Sequence, residues 1–294
     1  MTAPTLEATP ELEAAYEKQK RRRGLLIALP AYLYLVVFFG LPLLIVVVYS
    51  FATRNRFRDT DLNNWNFDSY RALGDDLVRA ILVRSLVLAV VTTVICLLVS
   101  YPFAYYIATR PKTIRNVMLV FVMIPFWTNF LVRNYAWYVI LGTDGPLSRI
   151  TEVIGIGPTR VLFTQGAVII GLVYGFLPFM ILPLYAAIER IDGRLLEASR
   201  DLYDNGWQSF RHVLLPLSMP GVVAGSILVF IPSLGAFVTP EILGGARTTL
   251  LGSYIVTQFL TASNFPLGAA LSTVLMVIML GSTLVYFRKG GQTL

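Results

Sequence analysis

The chain has one histidine, His212, and one cysteine, Cys96, and that scarcity excludes most side-chain chemistry. A metal site needs several His, Cys or carboxylate ligands converging on one point, so none is expected. Cys96 lies inside a hydrophobic run and reads as a small packed residue. Alone, it forms no internal disulfide and says nothing of compartment. His212 reads as a surface residue. No Gly-x-Ser-x-Gly elbow occurs, and no Ser/His/Asp set can be assembled within apolar spans. Nor does any glycine-rich turn end in Gly-Lys-Ser/Thr, so the chain lacks a P-loop for ATP phosphates. No enzyme activity and no cofactor of its own are expected; what remains is binding.

Two groups of residues are suited to binding. The aromatic residues Phe126, Trp127, Tyr135, Trp137, Tyr138 and Tyr174, with Asn129 among them, are candidates for lining a solute pathway. Aromatic faces attract alkylammonium groups by about 0.5–2 kcal/mol each. An interfacial aromatic belt is the alternative, and it explains Trp137 and Tyr138 at least as well. Glu241, at the outer end of the fifth apolar run, either draws cations to the mouth or pairs with Arg247.

The second group lies in the charged stretch 189–216. Leu195, Leu196, Ala198 and Leu202 recur at helical spacing. Asp204 or Asn205 can cap a second helix, with Gly206 easing the turn. Trp207, Phe210, Val213 and Leu214 then form another apolar stripe, which Pro216 ends. A charged helix pair with an exposed apolar stripe suits the groove of a partner protein. A solvated loop that caps two spans is the alternative.

Composition shows what must hold these groups in place. The 294 residues are 56% hydrophobic and 14% charged, against roughly 25% charged in a soluble domain. The apolar residues cluster in runs long enough to cross a bilayer, so the chain is expected to be an all-α, polytopic membrane protein with six transmembrane helices. The spans are expected at 25–49, 85–108, from about 117, 167–188, 219–238 and 267–287. The third is either short or broken near Asn129, and a helix over 134–141 follows it along the outer surface. Residues 1–24 form a polar tail, disordered at first, with no cleavable signal; residues 25–294 form the membrane domain.

The net charge of +7 needs no nucleic acid to explain it, because basic cytoplasmic loops produce it. Lys18, Lys20, Lys112 and Lys289, with the larger share of all basic residues, face inward if the N-terminus is cytoplasmic. Six spans then put both termini and the 189–216 stretch in the cytoplasm. No span carries an acidic residue at its centre, which argues against an ion-coupled carrier, although discontinuous helices can use carbonyls instead. The pairs Gly171/Gly175 and Gly221/Gly225 let helices approach closely, within this bundle or against a second subunit.

The 189–216 stretch resembles the cytoplasmic loop of ATP-binding-cassette importer permeases, whose pattern is Glu-Ala-Ala, three residues, Gly, nine residues, Ile, one residue, Leu-Pro. Glu197, Ala198, Val213, Leu215 and Pro216 fall in register, and Ser199 is a mild change. Tyr203 stands at the Gly position, and Asn205-Gly206 moves the flexible point three residues on. Pro125 to Asn129, Arg133, Tyr135, Ile169 to Tyr174, Leu177 to Met180 and Gly244-Gly245 are similar to the spermidine/putrescine permease subunits of that family. The resemblance implies a type I importer permease of MetI-like fold in the bacterial inner membrane. It implies docking to an ATPase subunit dimer through Glu197, Ala198, Ser199, Asp201, Leu202, Gly206, Trp207, Phe210, Leu215 and Pro216. It further implies a second homologous permease subunit, an external substrate-binding protein, ATP and magnesium held by the ATPase, and a small cationic substrate. Other cargoes, an opine, amino-acid derivative, ferric iron or oxyanion, fit the same machinery.

Overall fold

The structure, a computed structural model, describes residues 28–55, 60–62, 64–154, 157, 160–202, 205–245 and 248–290, without the side chains of 200 and 285–290. The polar tail 1–24, Tyr203, Asp204 and Arg247 lie outside these residues. Among the described residues five helices are long and apolar enough to cross a membrane, and a bent helix pair makes six if it is counted as one span.

Helix α1 (Ala28–Tyr49) contains a π-helical turn at Val36–Gly40, immediately before Pro42. A widened turn accepts a proline ring that lacks an N–H. A two-residue antiparallel ladder follows, β1 (Thr53–Arg54) against β2 (Thr60–Asp61). Arg54 Nη2 fastens it to the carbonyl of Ala262, at 2.8 Å.

Helix α2 (Asp76–Ala108) is 33 residues long, about 50 Å, and starts well before the expected residue 85. Its first turns bury Val78 and Ile81 while Asp76, Asp75 and Arg79 stay in solvent. Hydropathy marks where the apolar environment begins, whereas the helix begins wherever one face can pack.

The third apolar run, expected to be either short or broken near Asn129, is interrupted there. Helix α3 (Lys112–Trp127) ends at an extended Thr128, and α4 (Phe130–Leu141) starts at Asn129, whose Oδ1 accepts from Leu131 N (2.8 Å) and Val132 N (3.4 Å). The cap thus starts α4 at residue 130, four positions before the expected 134. With α5 (Pro146–Val153) continuing it, this segment bends by 88° from α3.

Helix α6 (Gln165–Glu189) is capped by Thr164, whose Oγ1 accepts from Ala167 N at 3.3 Å. The charged stretch forms α7 (Gly193–Leu202) and the start of α8 (Gly206–Leu234). Pro216 was expected to end that unit; instead α8 runs through it. A π-helical turn at Phe210–Leu214 precedes Pro216, which then sits in the first turn of the regular segment, where its missing N–H is least costly. Helices α9 (Leu251–Leu260) and α10 (Phe265–Gly290) complete the chain.

Helices α2, α6 and α8 form the centre, and α1 lies against α10 with most of its surface exposed. Cys96, Ala104, Met180, Leu184 and Val229 are the buried core of the central trio. A Cβ on Gly221 would stand 2.5 Å from Ala187 Cβ, and one on Gly225 2.7 Å from Met180 Sδ. That glycine pair therefore serves contact within the bundle. Across the opposite end, Ser85 Oγ accepts from Leu251 N at 2.8 Å and ties α9 to α2.

Candidate functional site

Two regions gather the candidate residues, one at each break in regular span structure. In the first, Asn205 Oδ1 accepts from Trp207 N at 3.0 Å, so Asn205 is the N-cap of α8. The hydroxyls of Ser199 and Ser209 share a hydrogen bond across the turn, and both residues are buried. Ser199 also donates to Leu196 O at 2.8 Å, so in the shared bond Ser209 donates and the Ser199 oxygen accepts. The bond thereby ties α7 to the first turn of α8.

The apolar stripe expected to be exposed is divided. Leu196, Phe210 and Leu214 turn inward onto the core of α2, α6 and α8, with the Phe210 ring edge-on to Tyr101 at 5.2 Å. The reason is α8's continuity: a helix that begins outside and runs into the bundle must pack its first turns against α2. Leu195, Leu202 and Trp207 remain exposed, Leu202 at 78%. Glu197, Ala198, Asp201, Gly206 and Pro216 share that exposure, and Leu215 is half-buried. Trp207 stacks on Phe210 at 5.2 Å, so its exposed indole is braced from behind. An apolar groove of about 660 Å³ runs beside them, lined by Leu98, Tyr101, Leu196, Trp207 and Phe210. His212 is exposed, with Nδ1 2.9 Å from Gln208 O.

The second region is the α3–α4 break. Trp127 is 78% exposed, and Phe126 packs edge-on to Phe179 at 5.1 Å. Tyr135 is exposed on α4. Tyr174, on α6, meets Trp137 edge-on at 5.4 Å. Asn129 spends its carbonyl oxygen on the α4 cap. A cavity of about 450 Å³ opens here, lined by Phe103, Met118, Phe121, Pro125, Tyr174 and Leu177. Tyr138 stands apart from this group, 6.0 Å from Phe163, on a separate cavity of about 1030 Å³ that Arg149, Arg160 and Gly245 also line. Gly245 has φ 57°, and a Cβ there would meet the Phe163 ring at 2.8 Å, so glycine forms that wall for two reasons. Glu241 is exposed in the π-helical turn Pro240–Gly244. Its proposed partner Arg247 is outside the described residues.

Sequence reasoning missed two cationic contacts. Arg115 Nη1 lies 2.9 Å from Glu189 Oε1, and its guanidinium is 6.0 Å from the Tyr185 ring. Arg133 Nη1 donates to Pro125 O at 3.0 Å, with its guanidinium 5.5 Å from the Phe130 ring and 5.9 Å from that of Tyr174. Nothing in the spacing of Arg115 and Glu189 pairs them; the Arg133–Pro125 contact was foreshadowed only by the expected break between them. Among the described residues no group of three or more His, Cys, Asp or Glu converges on a metal position.

Residues 100–288 match the family described as "Binding-protein-dependent transport system inner membrane component". The chain is 42% identical over 259 residues to the spermidine/putrescine transport system permease protein PotB of Escherichia coli (strain K12), covering 87% of this chain and 93% of that one. A chain of a bacterial alginate ABC transporter, solved in complex with an alginate pentasaccharide-bound periplasmic protein, superposes with a TM-score of 0.72 at 18% identity, covering 93% of this chain and 97% of that chain. A chain of the MetNI methionine ABC transporter, in inward-facing conformations, superposes with a TM-score of 0.53 at 22% identity, over 74% of this chain and 98% of that chain. The two structures share the fold.

Proposed function

The chain belongs to the family of binding-protein-dependent transport system inner membrane components, and from that premise we propose that it is one permease subunit of an ATP-driven polyamine importer. The observation that carries this is the braced α7–α8 pair. Ser199–Ser209 and the Asn205 cap make it rigid, its inner face packs on the core, and Glu197, Ala198, Leu202 and Trp207 are left facing outward. A rigid pair seated in the groove of an ATPase passes that subunit's motion into α6 and α8, to which it is joined at both ends.

The partners follow from what the chain lacks and what it presents. ATP and magnesium reside in an ATPase dimer, a second homologous permease completes the pathway, and both termini face the cytoplasm. An external binding protein delivers cargo to the opposite end, where segments 51–84 and 143–165 meet it. Similarity to spermidine/putrescine permeases supports an aliphatic polycation as cargo, and the aromatic residues at the α3–α4 break suit it. Trp127, exposed at 78%, and Tyr174 line the path.

The test is reconstitution of this chain with its cognate permease, ATPase and binding protein in liposomes. ATP-dependent spermidine or putrescine uptake, abolished by a partner ATPase defective in hydrolysis, is the expected result. Uptake driven by membrane potential alone would overturn the ATP-driven reading. ATP-dependent uptake of another solute, untouched by excess polyamine, would overturn the cargo.

A further inference from the structure

Arg133 is a half-buried cation with no ion pair among the described residues. Its guanidinium rests on Phe130 and Tyr174, at 5.5 and 5.9 Å, and donates to Pro125 O at 3.0 Å. Two π faces and a carbonyl are the surroundings that hold an alkylammonium group. Arg133 does not itself line the 450 Å³ cavity, but Pro125 and Tyr174, which it touches, both do, and the rest of the wall is apolar, Phe103, Met118, Phe121 and Leu177 among it. A chain of methylenes ending in an ammonium matches that wall and that end. Pro125 O also accepts from Thr128 Oγ1 at 2.7 Å, so the carbonyl keeps a partner when the guanidinium leaves.

We infer that this cavity is an alkylammonium subsite whose cation position is held, between transport events, by Arg133 itself. This rests on the polycation reading of the cargo. The guanidinium is a competitor: an arriving ammonium displaces it from Tyr174, and its return expels the cargo. Lacking a carboxylate partner, Arg133 is held only by contacts that an ammonium also makes, so exchange is close to balanced.

The experiment measures spermidine uptake by the complete complex in liposomes. Wild type comes first; absence of ATP-dependent spermidine uptake there refutes the cargo reading itself, before Arg133 is altered. Given uptake, Arg133→Gln removes the competitor and lowers KM by about three- to tenfold, the size of one partly desolvated cation–π contact, with kcat reduced because release slows. Arg133→Lys keeps the charge and holds KM closer to wild type. Tyr174→Leu raises KM, and adding Arg133→Gln to it no longer lowers KM. An unchanged or raised KM in assembled Arg133→Gln overturns the inference, as does a lysine variant that behaves like glutamine. If Arg133→Gln fails to assemble, Phe130→Leu, which loosens the guanidinium without touching Tyr174, must still lower KM; no decrease overturns the inference.

Discussion

Arg115 and Glu189 are joined by an ion pair of 2.9 Å, which ties the first turn of α3 to the last turn of α6. The pair stands directly before the α7–α8 unit, so any motion entering there reaches α3 as well as α6. The Arg115 side chain is 19% exposed and Glu189 36%. Among the described residues the Arg115 Nε has no hydrogen-bond partner, and Glu189 is the one carboxylate paired with this guanidinium. Partial solvent access lowers the value of the pair below that of a fully buried one.

Glu189→Gln leaves a largely buried guanidinium without its counter-ion and is expected to destabilise the subunit by about 1–2 kcal/mol. Thermal unfolding in detergent measures this, and the exchange Arg115→Glu with Glu189→Arg should recover part of the loss. A single variant as stable as wild type would show the pair to be solvent-balanced.

The Ser199–Ser209 bond predicts a non-additive pair. Ser199→Ala strands the buried Ser209 hydroxyl and costs about 1–2 kcal/mol, whereas Ser209→Ala leaves Ser199 bonded to Leu196 O and costs less. Changing both removes donor and acceptor together and costs less than the sum. A double-mutant cycle on thermal stability is the readout. Strict additivity would mean that the hydroxyls act independently.

Glu197→Lys with Ala198→Asp changes only exposed positions of α7. The chain should reach the membrane with its core intact and lose the co-purifying ATPase. Undiminished co-purification would place the docking surface elsewhere.

Glycines of one spacing should differ sharply. Gly221→Ala brings a methyl to 2.6 Å from Pro183 O and 2.5 Å from Ala187 Cβ, and forcing α6 and α8 apart costs about 1–3 kcal/mol. Nothing lies within 4 Å of a Cβ at Gly175. Gly175→Ala should be neutral, or stabilising by up to about 1 kcal/mol through helix propensity. Melting temperatures of the two variants, measured side by side, check the contrast.

The amino-acid sequence alone determined that the chain is a helical membrane protein with an interruption near Asn129 in its third apolar run and a charged helical stretch between the fourth and fifth; tertiary structure made the second helix of that stretch the start of α8. Those features rest on local signals: runs of apolar residues, polar Asn129 interrupting one of them, Asn205 as a cap, and proline and glycine at turns. Local signals also misled. Pro216 looked like a stop, but a preceding π-helical turn at Phe210–Leu214 lets α8 pass through it. The stripe Trp207, Phe210, Val213 and Leu214 looked uniform, yet α2 takes Phe210 and Leu214 and leaves Trp207 outside. Periodicity reports that a helix has an apolar face and is silent on how many neighbours share it. The pairing of Arg115 with Glu189 and the seating of Arg133 on Tyr174 were decided only by tertiary structure. Each joins side chains from different helices, and the distance between helices is set by the packing of the whole bundle, not by any stretch of chain.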